Sequence, residues 1–154
     1  MPDAQPVPSR NVWLLIACSM VMAACLYALV ITLLFASGPP PAAPDTPLPR
    51  ALFWSAAAAF VVASMLWTQL RVRAPIDQAL STQPPAPLFT VAEFQARSII
   101  SLALAEAACV VGFVQAMMYH APVRDYLPFG AATVLVIVLD VIPTGLRYWS
   151  SRDA

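Results

Sequence analysis

Two carboxylates stand where the sequence is otherwise apolar. Glu106 lies inside "SIISLALAEAACVVGFVQAMM", Ser98 to Met118. Asp140 lies inside "YLPFGAATVLVIVLDVIPTGLRYW", Tyr126 to Trp149. An acid in the middle of a membrane span costs roughly 2.5–3.5 kcal/mol on insertion scales. It is tolerated when protonated, paired or facing protein. Loss of water favours the neutral acid, so the chemistry these residues offer is binding a proton or a cation. Asp140 has a candidate partner in Arg147, which can reach it by lying along the helix. Glu106 has no basic residue near its depth. For it the structural alternative is an interhelical hydrogen bond, to Ser64 or Ser19 for instance.

The other reactive residue types form no site. Nothing pairs a nucleophile with a base and no phosphate loop is present, so no enzyme is expected. Cys18, Cys25 and Cys109 all fall within apolar segments and read as small packing residues. The lone His120 sits at a helix end and reads as a polar anchor. Cys and His show no metal-ligand spacing, and no cofactor is expected. Net charge is zero and there is no basic tract, so nucleic acid is excluded as a partner.

The elements that must position the two acids are membrane helices. The chain has 154 residues, 60% of them hydrophobic and 10% charged. About 20 helical residues cross a bilayer, and four segments are long enough: 12–36, 51–70, 98–118 and 126–149. None alternates in polarity as a barrel strand would. The expected fold class is all-α: a polytopic four-transmembrane-helix bundle forming one domain over residues 1–154. "LIAC" at Leu15 to Cys18 resembles a lipoprotein cleavage box, but too few apolar residues precede it, and an uncleaved first helix is expected.

All eight basic residues are Arg. Arg10, Arg71, Arg73, Arg97, Arg147 and Arg152 fall on one side of the four-helix scheme, Arg50 and Arg124 on the other. The positive-inside rule then places both termini and the central loop in the cytoplasm, with the chain in the cell's inner (plasma) membrane. The first loop, "SGPPPAAPDTPLPR", should be extended. In the central loop, "PIDQAL" suggests a short interfacial turn, and "QPPAP" cannot continue a helix. "TVAE", Thr90 to Glu93, fits a helix-starting capping box.

A faint internal repeat is visible. "MAACLYALV" (Met22 to Val30) parallels "EAACVVGFV" (Glu106 to Val114), and the segment Phe53 to Arg71 parallels Phe129 to Arg147 without gaps. Two copies of a helical hairpin would explain both. The second match aligns Ser64, Thr68 and Arg71 with Asp140, Thr144 and Arg147. With helical spacing these make a polar column of Ser64, Thr68, Thr144 and Arg147 leading to mid-membrane. Pro143 frees the carbonyl of Leu139 and should kink the fourth helix beside Asp140. Glu106 is nine residues from Arg97, about 13 Å, and Asp140 seven from Arg147, about 10 Å. Similar depth predicts that the two acids meet.

"LALAEAACVVGFVQA", Leu102 to Ala116, resembles the carboxylate helix of the rotor-ring proteolipid, subunit c of rotary ATP synthases and ATPases. The resemblance implies that Glu106 binds the translocated proton or sodium ion, with Ala105, Ala107 and Gly112 as helix-packing neighbours. It covers about 20 residues. The glycine-rich partner helix and the polar loop signature of that family are absent. The functional expectation is a small integral membrane protein whose buried carboxylates bind or translocate a proton or cation. The alternative is a non-catalytic membrane subunit or assembly factor, associating with other membrane proteins or with itself through small-residue helix faces.

Overall fold

The computed structural model describes residues 10–35, 49–82 and 87–153. Four helices are long and apolar enough to cross a membrane: α1 (Arg10–Phe35), α2 (Arg50–Ser81), α3 (Val91–Tyr119) and α4 (Val123–Arg152). The described residues contain no strand. The molecule is a four-helix membrane bundle. The reading of the first loop as extended falls on residues 37–48, outside those described.

Aromatic contacts mark the two ends. At the end where α1 begins and α4 finishes, Phe94 stacks on Tyr148 with centroids 4.1 Å apart, and Trp13 and Trp149 close around Phe94. At the opposite end His120 meets Phe35 edge-on and Arg50 lies over Tyr119. These will be called the terminal end and the far end.

α3 is the central helix, with α1, α2 and α4 packed around it. Its inner face is a column of small residues: Ser98, Ser101, Ala105, Ala108, Cys109, Gly112 and Ala116 are all buried. Small side chains let helices approach closely, which is how bundles gain contact in lipid. The small-residue faces legible in the sequence are therefore spent inside the bundle. Gly112 lies against Phe129, where an added Cβ would fall on the side chain. α1 rests on α3 and α4 rather than on α2. The α1–α2 and α3–α4 pairs are thus not equivalent hairpins, whatever their sequence similarity.

Helix boundaries follow local chemistry. Thr90 accepts from the Glu93 backbone N–H while the Glu93 carboxylate accepts from Thr90 N at 2.8 Å, so the expected capping box starts α3. α3 ends at His120, which adopts the left-handed conformation at φ 48°. Ala121 N–H then donates to the Ala116 carbonyl at 2.9 Å, closing the helix end. α4 starts at Val123, three residues before the expected Tyr126.

α2 departs most from expectation. It was expected to end at Leu70, with Arg71 and Arg73 in a loop and "PIDQAL" as a separate turn. Instead it runs on to Ser81. The device is a π turn over Thr68–Arg73, after which α-helix resumes at Ala74. Pro75 then falls in the first turn of the resumed segment, where a missing N–H costs least. α4 carries a second π turn, Ile137–Val141, just before Pro143. Both prolines are accommodated by widening the preceding turn, a recognised origin of helix irregularity.

Candidate functional site

The two π turns face each other. Gln69 lies on the π turn of α2 and Asp140 on that of α4. Gln69 Nε2 donates to Asp140 Oδ1 at 2.8 Å, bridging the helices. π turns rotate the side chains that follow them, and they recur at functional sites. Here they aim two polar groups at one point of the α2–α4 seam.

The second carboxylate oxygen, Asp140 Oδ2, is buried and has no hydrogen-bond partner. Asp140 borders a cleft of about 200 Å³ that is also lined by Arg73, Thr144 and Arg147. The rim of the cleft is charged. Arg147 Nη1 lies 2.8 Å from Asp77 Oδ1, and Arg73 Nε lies 3.9 Å from Asp77 Oδ2. Both arginines are about half exposed at 48%. Arg147 thus pairs with Asp77 across the helices rather than with Asp140 on its own helix, as the sequence had suggested. The arrangement is a carboxylate with one bonded and one unpartnered oxygen, beside a cleft that two arginines also line.

The expected polar column separates into two groups. Asp140, Thr144 and Arg147 share the cleft just described. Ser64 and Thr68 turn the other way, against α3. Ser64 Oγ donates to the Ser101 carbonyl at 2.8 Å, and Thr68 Oγ1 lies 2.9 Å from Ser101 Oγ. Both Ser64 and Thr68 are fully buried. Arg71, aligned with Arg147 by the repeat, instead lies over the Trp67 ring. Ser64 and Thr68, four residues apart, share the side of α2 that faces α3, and Arg71 lies within the π turn.

Glu106 stands apart from all of these. Its half-buried side chain borders an open groove on the outer surface, lined by Phe60, Ala103, Ala107 and Val110. Tyr27 of α1 is its electrostatic neighbour. Neither Ser64 nor Ser19 is its partner: Ser64 serves Ser101, and Ser19 donates to the Ile16 carbonyl of its own helix. The Glu106 groove and the Asp140 cleft have no lining residue in common. The structure therefore does not bring the two acids into one site. Nor is either fully buried: among the described residues no charged side chain is. The expectation of buried carboxylates is corrected accordingly. In a bundle this thin, close packing of Ala, Ser and Gly fills the inner face of α3, and the acids lie at the margins.

Ala105 and Gly112, the neighbours of Glu106 in the rotor-ring resemblance, face α4. The Ala105 carbonyl accepts from Thr133 Oγ1 at 2.9 Å. All three cysteines are free thiols; Cys18 and Cys25 are exposed on α1, and Cys109 is buried 2.6 Å from the Tyr126 hydroxyl.

Sequence reasoning missed Gln69, Arg73 and Asp77 as members of the cleft, and Tyr27 beside Glu106. Arg73 and Asp77 were legible as an i, i+4 pair once helix was assigned there. Gln69 was an amide inside an apolar span, a signal of the same kind as Asp140. Tyr27 carried no such signal.

Comparison with protein-family models, with curated proteins and with solved structures found no match.

Proposed function

We propose that this membrane protein binds a proton at Asp140 and exchanges it with the aqueous phase at the terminal end of the bundle. One observation carries the reading. Asp140 Oδ2 is sealed from solvent without a partner, while Oδ1 is held by Gln69. An ionised carboxylate in that position leaves acceptor capacity unmet at bilayer depth, which is costly. A proton on Oδ2 removes the charge and leaves the Gln69 bond intact. The route we propose is the cleft that Asp140 borders together with Thr144, Arg73 and Arg147; because Oδ2 is sealed, exchange requires a local opening toward it. When the proton leaves, the Arg73 guanidinium is the charge placed to stabilise the carboxylate.

The positive-inside rule puts the terminal end in the cytoplasm of a cell whose inner membrane holds the chain, with six Arg on that side and two on the other. Proton exchange at Asp140 is then with the cytoplasm. Reporter fusions after Ala154 and within residues 39–49 test this orientation: the first should read cytoplasmic, the second external.

A lipid-soluble carbodiimide tests the site itself. It reacts with protonated carboxyls in apolar surroundings. Mass spectrometry of the reconstituted protein should find Asp140 modified at neutral pH, more slowly as pH rises. Modification confined to the exposed acids, with Asp140 untouched, contradicts the reading.

A further inference from the structure

The Glu106 face supports an inference that does not depend on Asp140. Glu106 sits on the outer surface of α3, in a shallow groove of about 410 Å³. Ala103 and Ala107, one helical turn apart, form its floor, and Phe60 and Val110 stand at its sides. Tyr27 of α1 is the neighbouring polar side chain. A carboxylate offers about four acceptor positions. Lipid tails can fill none. The groove therefore combines small side chains with a polar demand that lipid cannot meet.

We propose that this groove receives one transmembrane helix of another protein, which presents a basic side chain to Glu106 near mid-membrane. The small floor residues permit the close approach that helix pairs in lipid require. The polarity of the partner follows from charge complementarity: an acid with open acceptor positions selects a donor, and a cation above all. A second copy of this chain is a poor occupant. It contains no Lys, and on α3 the Arg nearest to Glu106 is Arg97, nine residues or about 13 Å along the helix. A copy's exposed polar groups on α1, Ser19 and Thr32, are uncharged and already donate to carbonyls of their own helix.

The test uses the full chain, labelled with a fluorescent donor and reconstituted in phosphatidylcholine vesicles. The probes are two acceptor-labelled Leu/Ala helices of about 20 residues. One has a single central Lys, the other Leu at that position. The Lys helix should give several-fold more energy transfer than the Leu helix at equal peptide-to-lipid ratio. Glu106→Gln should reduce it to the Leu level, and Ala103→Leu, which fills the groove floor, should do the same with Glu106 intact. Should Glu106→Gln lower the melting temperature, Ala103→Leu decides. Equal transfer from the two peptides overturns the proposal, as does transfer unaffected by either substitution. Energy transfer between two labelled copies of the chain that is lost with Glu106→Gln also overturns it, because the occupant is then the chain itself.

Discussion

Gln69 Nε2 lies 2.8 Å from Asp140 Oδ1, and each residue sits on a π turn of its own helix. The contact joins two helices that both pack on α3, and it does so where both are irregular. The helix irregularities and the polar bridge thus coincide.

That relationship gives the first prediction. Gln69→Leu removes the donor and leaves Asp140 with neither oxygen bonded. It should destabilise the bundle by about 1–3 kcal/mol, the cost of stranding a buried acceptor. Asp140→Asn keeps an oxygen for Gln69 and should cost less than about 1 kcal/mol. Unfolding in mixed micelles measures both. Equal losses for the two variants would separate the bridge from stability.

The second prediction concerns Arg97. Its Nη1 donates to the Arg71 carbonyl, inside the π turn of α2, at 2.9 Å, while its guanidinium lies over Phe89. Arg97→Met removes the donor and should destabilise by about 1–3 kcal/mol. Arg97→Lys keeps a donor and should cost less. Unfolding in mixed micelles measures both, and equal losses would mean that the bond to Arg71 contributes nothing.

The sequence made some of this readable and hid the rest for physical reasons. The four spans were legible because about 20 apolar residues in helical composition have few other fates. Thr90 and Glu93 announced the start of α3 because a capping box is local. The continuation of α2 past Leu70 was not legible. Pro75 and two Arg look like the end of a helix, and only a π turn, which has no sequence signature, places Pro75 where it is harmless. Counting residues compares Glu106 and Asp140 along their helices but says nothing of their azimuths. Facing depends on how four helices are arranged. The polar column failed for that reason: Ser64 and Thr68 turn to α3, while Asp140, Thr144 and Arg147 line the cleft.

The third prediction tests close packing. A Cβ on Gly145 would fall inside the buried Trp13 ring, and one on Gly112 would overlap Phe129 near its backbone. Gly112→Ala and Gly145→Ala should each destabilise by about 1–3 kcal/mol, as overpacking does. At Gly130 the nearest ring atom, on Tyr126, stands 3.1 Å away, and Gly130→Ala should cost less. Melting temperatures of the three variants in one detergent rank them. A Gly112→Ala protein as stable as the parent would refute the close approach of α3 and α4.

The central claim is that Asp140 carries an exchangeable proton, and infrared difference spectroscopy of the reconstituted protein tests it most directly. The pH is stepped between about 4 and 10, a range that brackets ordinary and strongly perturbed carboxyls. The account predicts a carboxylic-acid C=O band that appears and disappears reversibly. It should be lost in Asp140→Asn, shifted in frequency in Gln69→Leu because the hydrogen bond to Oδ1 is gone, and present in Glu106→Gln. If every pH-dependent carboxylic-acid band survives in Asp140→Asn, Asp140 is not the proton site and the account is wrong.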